Sequence, residues 1–304
     1  MTLNFSVIIP IYNRSEFLTE TLASVNAQTM SPAEILVVDD GSSDKEAEKI
    51  AQIVEGAGAK LIQQENAGPG VARNRGAQEA IGSYLVFLDS DDLMVPTTLA
   101  TYIEVITQTE ASLLAASVSE FDQGFQPSPE IASDDQIEMS RYDDYLASSR
   151  NSEVILGAGM MVVQKDLFLV SGGFTEERIN GEDHDMAIRL GTLPVFVQIV
   201  SPPTLMYRRH ANSLTAQTSK TREGIEFLLK REREGYFPGG RRRASERRRI
   251  LSRHVRPVSL ACLRVGDLAG AWKLYRASFG VHVRQGAWKY LLSFPLTVLK
   301  TLFK

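Results

Sequence analysis

The sequence predicts an α/β protein in which a mostly parallel sheet is flanked by helices and followed by a helical C-terminal region. Short runs rich in β-branched residues alternate with segments of helical spacing through the first third of the chain, the pattern of parallel strands joined by right-handed crossovers. Several of those runs end in acidic or glycine-rich turns, which gathers polar groups at one edge of the sheet. The last third changes character, with arginine clusters and amphipathic helical spacing.

Residues 5–11, FSVIIPI, are too short and too uniformly apolar for a globular helix and read as a buried first strand. Tyr12, Asn13 and Arg14 follow, then a helix with Phe17, Leu18, Thr21, Leu22 and Val25 on one face and Ser15 as its N-cap. A second strand, residues 34–38, runs into Asp39-Asp40-Gly41-Ser42-Ser43-Asp44. The third, residues 60–63, leads through Asn66-Ala67-Gly68-Pro69-Gly70 into a basic helix with Arg73 and Arg75. The fourth, residues 84–88, stops at Asp89-Ser90-Asp91-Asp92. Further on, residues 156–163 read as a strand preceded by small residues, followed by a helix from Lys165 and a turn at Gly172-Gly173-Phe174. NGEDHDMAIRL, residues 180–190, opens an amphipathic helix with Met186 and Leu190 on its apolar side, and residues 195–199 form another strand.

Carboxylates delivered at the C-terminal end of a buried parallel strand are hard oxygen donors. Mg²⁺ and Mn²⁺ take such donors, usually one or two carboxylates together with substrate phosphates. Read alone, Asp91 or Asp92 serves equally to cap a helix starting near Pro96, and Asp40 to shape the turn before Gly41. The glycines at 68 and 70 follow the third strand rather than the first, so a dinucleotide-binding fingerprint is a poor fit.

Taken together and in this order, SVIIPIYNR, VVDDGSSD, NAGPGVARNRG and FLDSDD resemble the nucleotide-sugar-dependent glycosyltransferases of family 2. Those enzymes have the GT-A fold, a Rossmann-like, mostly parallel sheet flanked by helices, and the bacterial members include enzymes of polysaccharide and lipopolysaccharide synthesis. The resemblance implies that Pro10 and Tyr12 line the base pocket, with Tyr12 stacked on a pyrimidine. It implies that Asp40 accepts a hydrogen bond from a base N–H, a charge-assisted choice. By the same resemblance Arg73 reaches the base or the diphosphate, Asp89 and Ser90 belong to the nucleotide-sugar site, and Asp91 ligates Mn²⁺ or Mg²⁺. The donor it implies is a nucleoside-diphosphate sugar, a UDP-sugar first.

NGEDHDMAIRL resembles the acidic motif on the acceptor side of this family, which makes Asp183 the catalytic base of an inverting transfer. Such a transfer needs a carboxylate to take the acceptor hydroxyl's proton, and a helix N-terminus keeps that group ionised. Glu182 and Asp185 are alternative bases, and His184 reads as a surface residue. The segment Tyr207-Arg208-Arg209-His210 resembles the stretch that closes the active site in relatives. His210 is either a third metal ligand, better suited to Mn²⁺ than Mg²⁺, or a hydrogen-bonded structural histidine. Arg208 or Arg209 is expected to pair with the diphosphate.

The chain has 304 residues, 43% of them hydrophobic, which is enough for a full core. A formal charge of −4 conceals an asymmetry. Residues 1–207 hold 11 basic and 31 acidic side chains, net −20, whereas residues 208–304 hold 22 and 6, net +16. The tail carries Arg241-Arg242-Arg243 and Arg247-Arg248-Arg249, helical segments at 258–265 and 267–279 hinged at Gly266, and an aromatic final segment, 286–304. Its uncharged run at 290–299 is ten residues and contains Pro295, too short to span a bilayer. Two readings fit this tail: attachment to an anionic membrane surface, where lipid-linked acceptors lie, or a solvated helical extension packing on the acidic domain or a second subunit. No nucleic-acid motif accompanies the arginines, and no nucleic-acid partner is expected. A lone Cys262 and the lack of a basic leader point to a cytoplasmic protein, peripheral on the inner membrane face in the first reading.

The expected organisation is a GT-A catalytic domain over residues 1–215, with a nucleotide-sugar-binding half at 1–110 and an acceptor-side half at 111–215, then a helical region at 216–304. The expected partners are a nucleoside-diphosphate sugar and a glycan or lipid-linked acceptor; the sequence leaves the oligomeric state open. Two other readings keep the same features: a noncatalytic binding protein with this fold, and a nucleotidyltransferase. The second should carry a glycine-rich, basic loop after strand one, where this chain has Tyr12-Asn13-Arg14.

Overall fold

A computed structural model describes residues 3–122, 136–209 and 218–302. The chain forms two compact units that are not continuous in sequence. Unit 1 comprises Met1–Tyr145, Ile155–Arg178 and Leu193–Ala211; unit 2 comprises Leu146–Val154, Ile179–Thr192 and Asn212–Lys304.

Unit 1 is built on an eight-stranded sheet. Its strands are β1 (Phe5–Ile11), β2 (Glu34–Asp39), β3 (Lys60–Gln63), β4 (Tyr84–Phe87), β6 (Leu113–Ala115), β8 (Glu138–Tyr142), β9 (Met161–Gln164) and β10 (Phe196–Ser201), in the order β3-β2-β1-β4-β9-β6-β10-β8. The first four run parallel, with Ile8 of β1 opposite Leu36 on one side and Phe87 on the other. Every residue of β1 is buried, as expected of a strand covered on both faces, and this is why it reads as an unbroken apolar run. β9 then inserts antiparallel between β4 and β6, and β8 closes the far edge antiparallel to β10. A second sheet of β5 (Leu93–Met94), β11 (Leu205–Arg209) and β7 (Val118–Asp122) has β11 at its centre.

The crossovers among the parallel strands are α1 (Leu18–Asn26), α2 (Asp44–Gly56) and α3 (Pro69–Glu79); α4 (Thr98–Thr109) and α5 (Lys165–Val170) complete the unit. α1 buries Leu18, Thr21, Leu22 and Val25, the face expected from spacing. Ser15 does not cap it. Its hydroxyl donates to Glu46 Oε2 at 2.7 Å, and Phe17 occupies the N-cap position. α3 lies close on β1, because a Cβ at Gly76 would stand 2.5 Å from Ile8 Cγ2. The helix after the acidic cluster starts at Thr98 with Thr97 as N-cap, so neither Asp91 nor Asp92 caps it.

Unit 2 holds α6 (Glu182–Arg189), α7 (Thr218–Glu234), α8 (Ala244–Arg264), α9 (Leu268–Arg284) and α10 (Trp288–Leu302). α8 and α9 meet at Gly266, whose φ of +80° suits glycine, and Asp267 caps α9 by accepting from the Gly270 N–H. Part of the arginine-rich stretch is interior. Arg247 is buried, donates to Glu232 Oε2 at 2.7 Å, and also satisfies the carbonyls of Pro238 and Gly240. No helix among the described residues is long and apolar enough to cross a membrane.

Candidate functional site

The C-terminal ends of β1, β2 and β4 and the turn after β3 meet in unit 1, as parallel pairing requires. Gly41, at φ +75°, lets the turn after β2 pass close to the one after β3; a Cβ there would fall 2.6 Å from the Asn66 nitrogen. Asp40 uses this proximity. Its buried carboxylate accepts from the Ala67 N–H at 2.9 Å, the Gly68 N–H at 2.8 Å and Gln64 Nε2 at 2.7 Å. A carboxylate has about four acceptor positions, so one remains for a ligand. Asp40 therefore fixes the glycine turn, whatever else it binds.

At the end of β1, Pro10 is buried opposite Val38, while Tyr12 is 49% exposed. Asn13, at φ 53°, exchanges hydrogen bonds with the turn after β2, donating its N–H to Ser42 Oγ and accepting from the Ser43 N–H. The Tyr12 ring is thus presented from a turn held at both sides. Arg178, which sequence reasoning passed over, donates to the Asn66 carbonyl beside the same glycine turn.

Arg73 projects from α3 to Asp89. Its Nη2 lies 2.6 Å from Asp89 Oδ1, and its guanidinium stands 5.4 Å from the centre of the Phe174 ring. Phe174 is held there by Asn74, which both donates to its carbonyl and accepts from its N–H. Gly159 packs against the other side of Asp89, where a Cβ would come within 2.9 Å of Oδ2. Gly159, one of the small residues before β9, thus lies in close contact with this carboxylate.

The rest of the acidic turn is tied down from below. Ser90 accepts from Thr21 Oγ1 through its carbonyl. Asp92 is buried and accepts from the Arg208 N–H at 2.9 Å. Burial pushes its carboxyl up to about 9, and the Asp89 and Asp91 charges add to this against the Arg208 hydrogen bond. Arg208 is buried between the rings of Phe17 and Phe121, at 4.6 and 4.7 Å, and donates to the Asp91 carbonyl and to Glu20. Arg208, one of the two arginines expected to pair with the diphosphate, thus clamps the acidic turn. Arg209 is exposed and lies 3.3 Å from Glu120.

Among the described residues no group of three or more His, Cys, Asp or Glu side chains is arranged to hold a metal ion. His210 lies outside the described residues. The donor chemistry nonetheless fits a divalent cation. Asp89, Asp91 and Asp92 crowd one turn, and carboxylate oxygens are the hard donors that such a cation takes.

In unit 2, the acidic motif opens α6. Gly181 precedes the helix at φ +115°, and Gly224 of α7 lies so close to Asn180 that a Cβ would overlap its carbonyl oxygen at 1.8 Å. Asp185 is 0% exposed and accepts from Arg189 at 2.8 Å and Arg231 at 2.7 Å. It anchors the helix. Asp183 stays partly exposed, accepts the His184 N–H at 2.7 Å and lies 2.9 Å from His184 Nδ1. Burial would raise its carboxyl, but the charge and hydrogen bonds of His184 outweigh burial and hold it at about 2. His184 is no idle surface residue: its ring lies 3.7 Å from that of His254, centre to centre.

Residues 6–169 match the model of glycosyl transferase family 2, over more than half of the chain. An uncharacterized glycosyltransferase of Rickettsia conorii is 48% identical over 88 residues, which are 29% of this chain and 15% of that protein. One of Haemophilus influenzae is 28% identical over 229 residues, covering 73% of this chain and 75% of that protein. The structure of S. aureus TarS 1–349 with UDP-GlcNAc aligns with a TM-score of 0.59 at 20% identity, covering 93% of this chain and 92% of that one. The mannosyltransferase PcManGT of Pyrobaculum calidifontis, in complex with GDP-Man and Mn²⁺, aligns at 0.54 and 16% identity over 97% of this chain and 87% of that one. The likeness to these structures extends the GT-A fold expected from the sequence.

Proposed function

Because the chain belongs to glycosyl transferase family 2, we propose that it moves a sugar from a UDP-sugar to an acceptor hydroxyl with inversion, in the synthesis of a cell-surface polysaccharide, lipopolysaccharide or glycolipid. One observation carries the reading. Tyr12, Asp40, Arg73, Asp89 and Asp91 arise from different strands and turns yet gather at one edge of the sheet, where open α/β sheets bind ligands. Pro10 and Tyr12 would line the base pocket, and Asp40 would offer its remaining acceptor position to a base N–H. Arg73, Asp89 and Ser90 would form the floor of the nucleotide-sugar site. Asp91, with His210, would hold a divalent cation, whose chemistry is to offset charge on the departing nucleoside diphosphate; PcManGT was solved with Mn²⁺.

Asp183 is the proposed base. The acceptor oxygen bonds to the anomeric carbon, its proton passes to the Asp183 carboxylate, and the sugar–phosphate bond pair leaves with UDP. The roles of its neighbours support this choice: Asp185 has both oxygens committed to arginines, and Glu182 Oε2 accepts from the Gly181 N–H. The test is release of UDP from UDP-glucose, UDP-galactose, UDP-GlcNAc and UDP-GalNAc. Turnover of one of them that is lost in Asp91→Ala and Asp183→Asn, with folding retained, is the expected result. Failure of every donor in a protein that binds UDP would favour the noncatalytic reading.

The C-terminal helical region is proposed to rest on an anionic membrane surface. Trp288, Leu292, Leu296 and Leu299 lie within an arc of α10 and are between 50% and 69% exposed, with Lys289 and Lys300 exposed alongside. An apolar face edged by lysines suits the boundary between headgroups and acyl chains. Sedimentation with phosphatidylserine-containing vesicles, but not neutral ones, is expected for the wild type and not for Leu292→Glu/Leu296→Glu. Equal sedimentation of both proteins would contradict it.

A further inference from the structure

Asp183 receives two N–H groups from one residue, and both fall on the same oxygen. The backbone N–H of His184 and its ring Nδ1 lie 2.7 and 2.9 Å from Oδ1, and Oδ2 has no hydrogen-bond partner among the described residues. The ring of His184 is itself backed by His254 on α8, at 3.7 Å and a tilt of 44°. We infer that His184 is the positioning residue of the proposed base: it fixes Oδ1, leaves Oδ2 for the acceptor proton, and sets the strength of the base through its own charge. The inference rests on the reading of Asp183 as base.

The charged and titratable groups around this ring are Asp183 and Glu182 on α6 and His254 and Arg253 on α8. Burial disfavours the His184 cation, but the Asp183 carboxylate and then Glu182 outweigh it, and the balance is upward from 6.5. His254 moves the other way. Burial, then the charges of His184 and Arg253, push it down to about 3 against the pull of Asp183. When the pair holds one proton more than its neutral form, that proton therefore belongs to His184. As a cation His184 stabilises the ionised form of Asp183 and makes it a weak base. Once neutral, the ring still donates through Nδ1 but no longer opposes proton uptake at Oδ2, so transfer should accelerate as pH rises through the His184 titration.

The experiment is the pH dependence of kcat for UDP release, using the UDP-sugar that is turned over. Wild type should show a rising step with an apparent pKa above 6.5. His184→Asn keeps an N–H donor near the Nδ1 position without a titratable charge; the step should vanish and the rate on its acid side should rise about tenfold. His184→Ala, which removes the ring donor, should lower kcat about tenfold while KM for the UDP-sugar stays unchanged. Imidazole NMR titration gives a readout independent of turnover: His184 should titrate above 6.5 in the wild type and fall in Asp183→Asn. A step that persists in His184→Asn, wild-type kcat in His184→Ala, or a His184 titration indifferent to Asp183 would overturn the inference. Normal turnover by Asp183→Asn would instead remove the base assignment itself, whereas an inactive Asp183→Asn with silent His184 variants removes only the positioning role.

Discussion

Asp40 supports the turn beside the proposed nucleotide site. Its carboxylate receives two backbone N–H groups and one amide N–H, and it thereby holds the turn that carries Gly68 and leads to Arg73. An Asp40→Asn side chain would direct an NH₂ group at one of those donors. It should lower stability by about 1–3 kcal/mol, the cost of a buried unsatisfied polar group, and reduce affinity for UDP, measured by denaturant melts and calorimetry. A loss of UDP binding with unchanged stability would mean that Asp40 meets the nucleotide but does not shape the turn. The position of this residue was legible in the sequence, since VVDDG ends a buried strand. Its internal partners were not, because Gln64 and Gly68 reach it only through the β2–β3 register. The same limit explains Arg208. Its cation reads locally as a free phosphate partner, whereas its surroundings, Phe17, Phe121 and Glu20, come from distant parts of the chain.

At the scale of elements, α6 depends on a close approach to α7 that only glycine at 224 permits. Gly224→Ala should destabilise the protein by about 1–3 kcal/mol as Asn180 and α7 move apart, read as a lower Tm; an unchanged Tm would show that the approach is not required. α8 adds a pH dependence. His254 is depressed to about 3 when folded and rises to about 6.5 when unfolded, so the unfolded chain binds a proton that the folded chain refuses. Its contribution to stability is present above 6.5 and is lost as pH falls towards 3, at no more than about 1.4 kcal/mol per pH unit. His184, shifted upward, works in the opposite sense, with stability present below 6.5 and lost as pH rises through its folded pKa. Urea melts between pH 4 and 7 should therefore show a shallower acid loss in His254→Asn than in wild type; equal slopes would contradict the account. The buried parallel strands were readable because both faces are covered and the apolar runs are continuous. The second sheet was not, since β5 has two residues and β7, Val118–Asp122, buries only Phe121 fully.

Across the whole molecule, the four turn motifs within the first 92 residues carried the family, and the matched region, residues 6–169, contains all of them. The two compact units interleave in sequence, with residues 146–154 and 179–192 joined to the C-terminal helices; contacts of that kind have no signal in composition. The charge asymmetry was visible at once, yet part of it is spent inside unit 2, where Arg247 and Arg248 both reach Glu232. If the strand-end array is a site for UDP, the nucleotide should stabilise the fold, because a ligand that binds only the folded state raises its Tm; thermal melts of the purified protein with UDP, GDP, dTDP and CMP, each with and without Mn²⁺, measure this. UDP should raise Tm when Mn²⁺ is present, by an amount that grows with UDP concentration and is lost in Asp91→Ala. A folded wild type that none of the four nucleotides stabilises, with or without Mn²⁺, would contradict the claim.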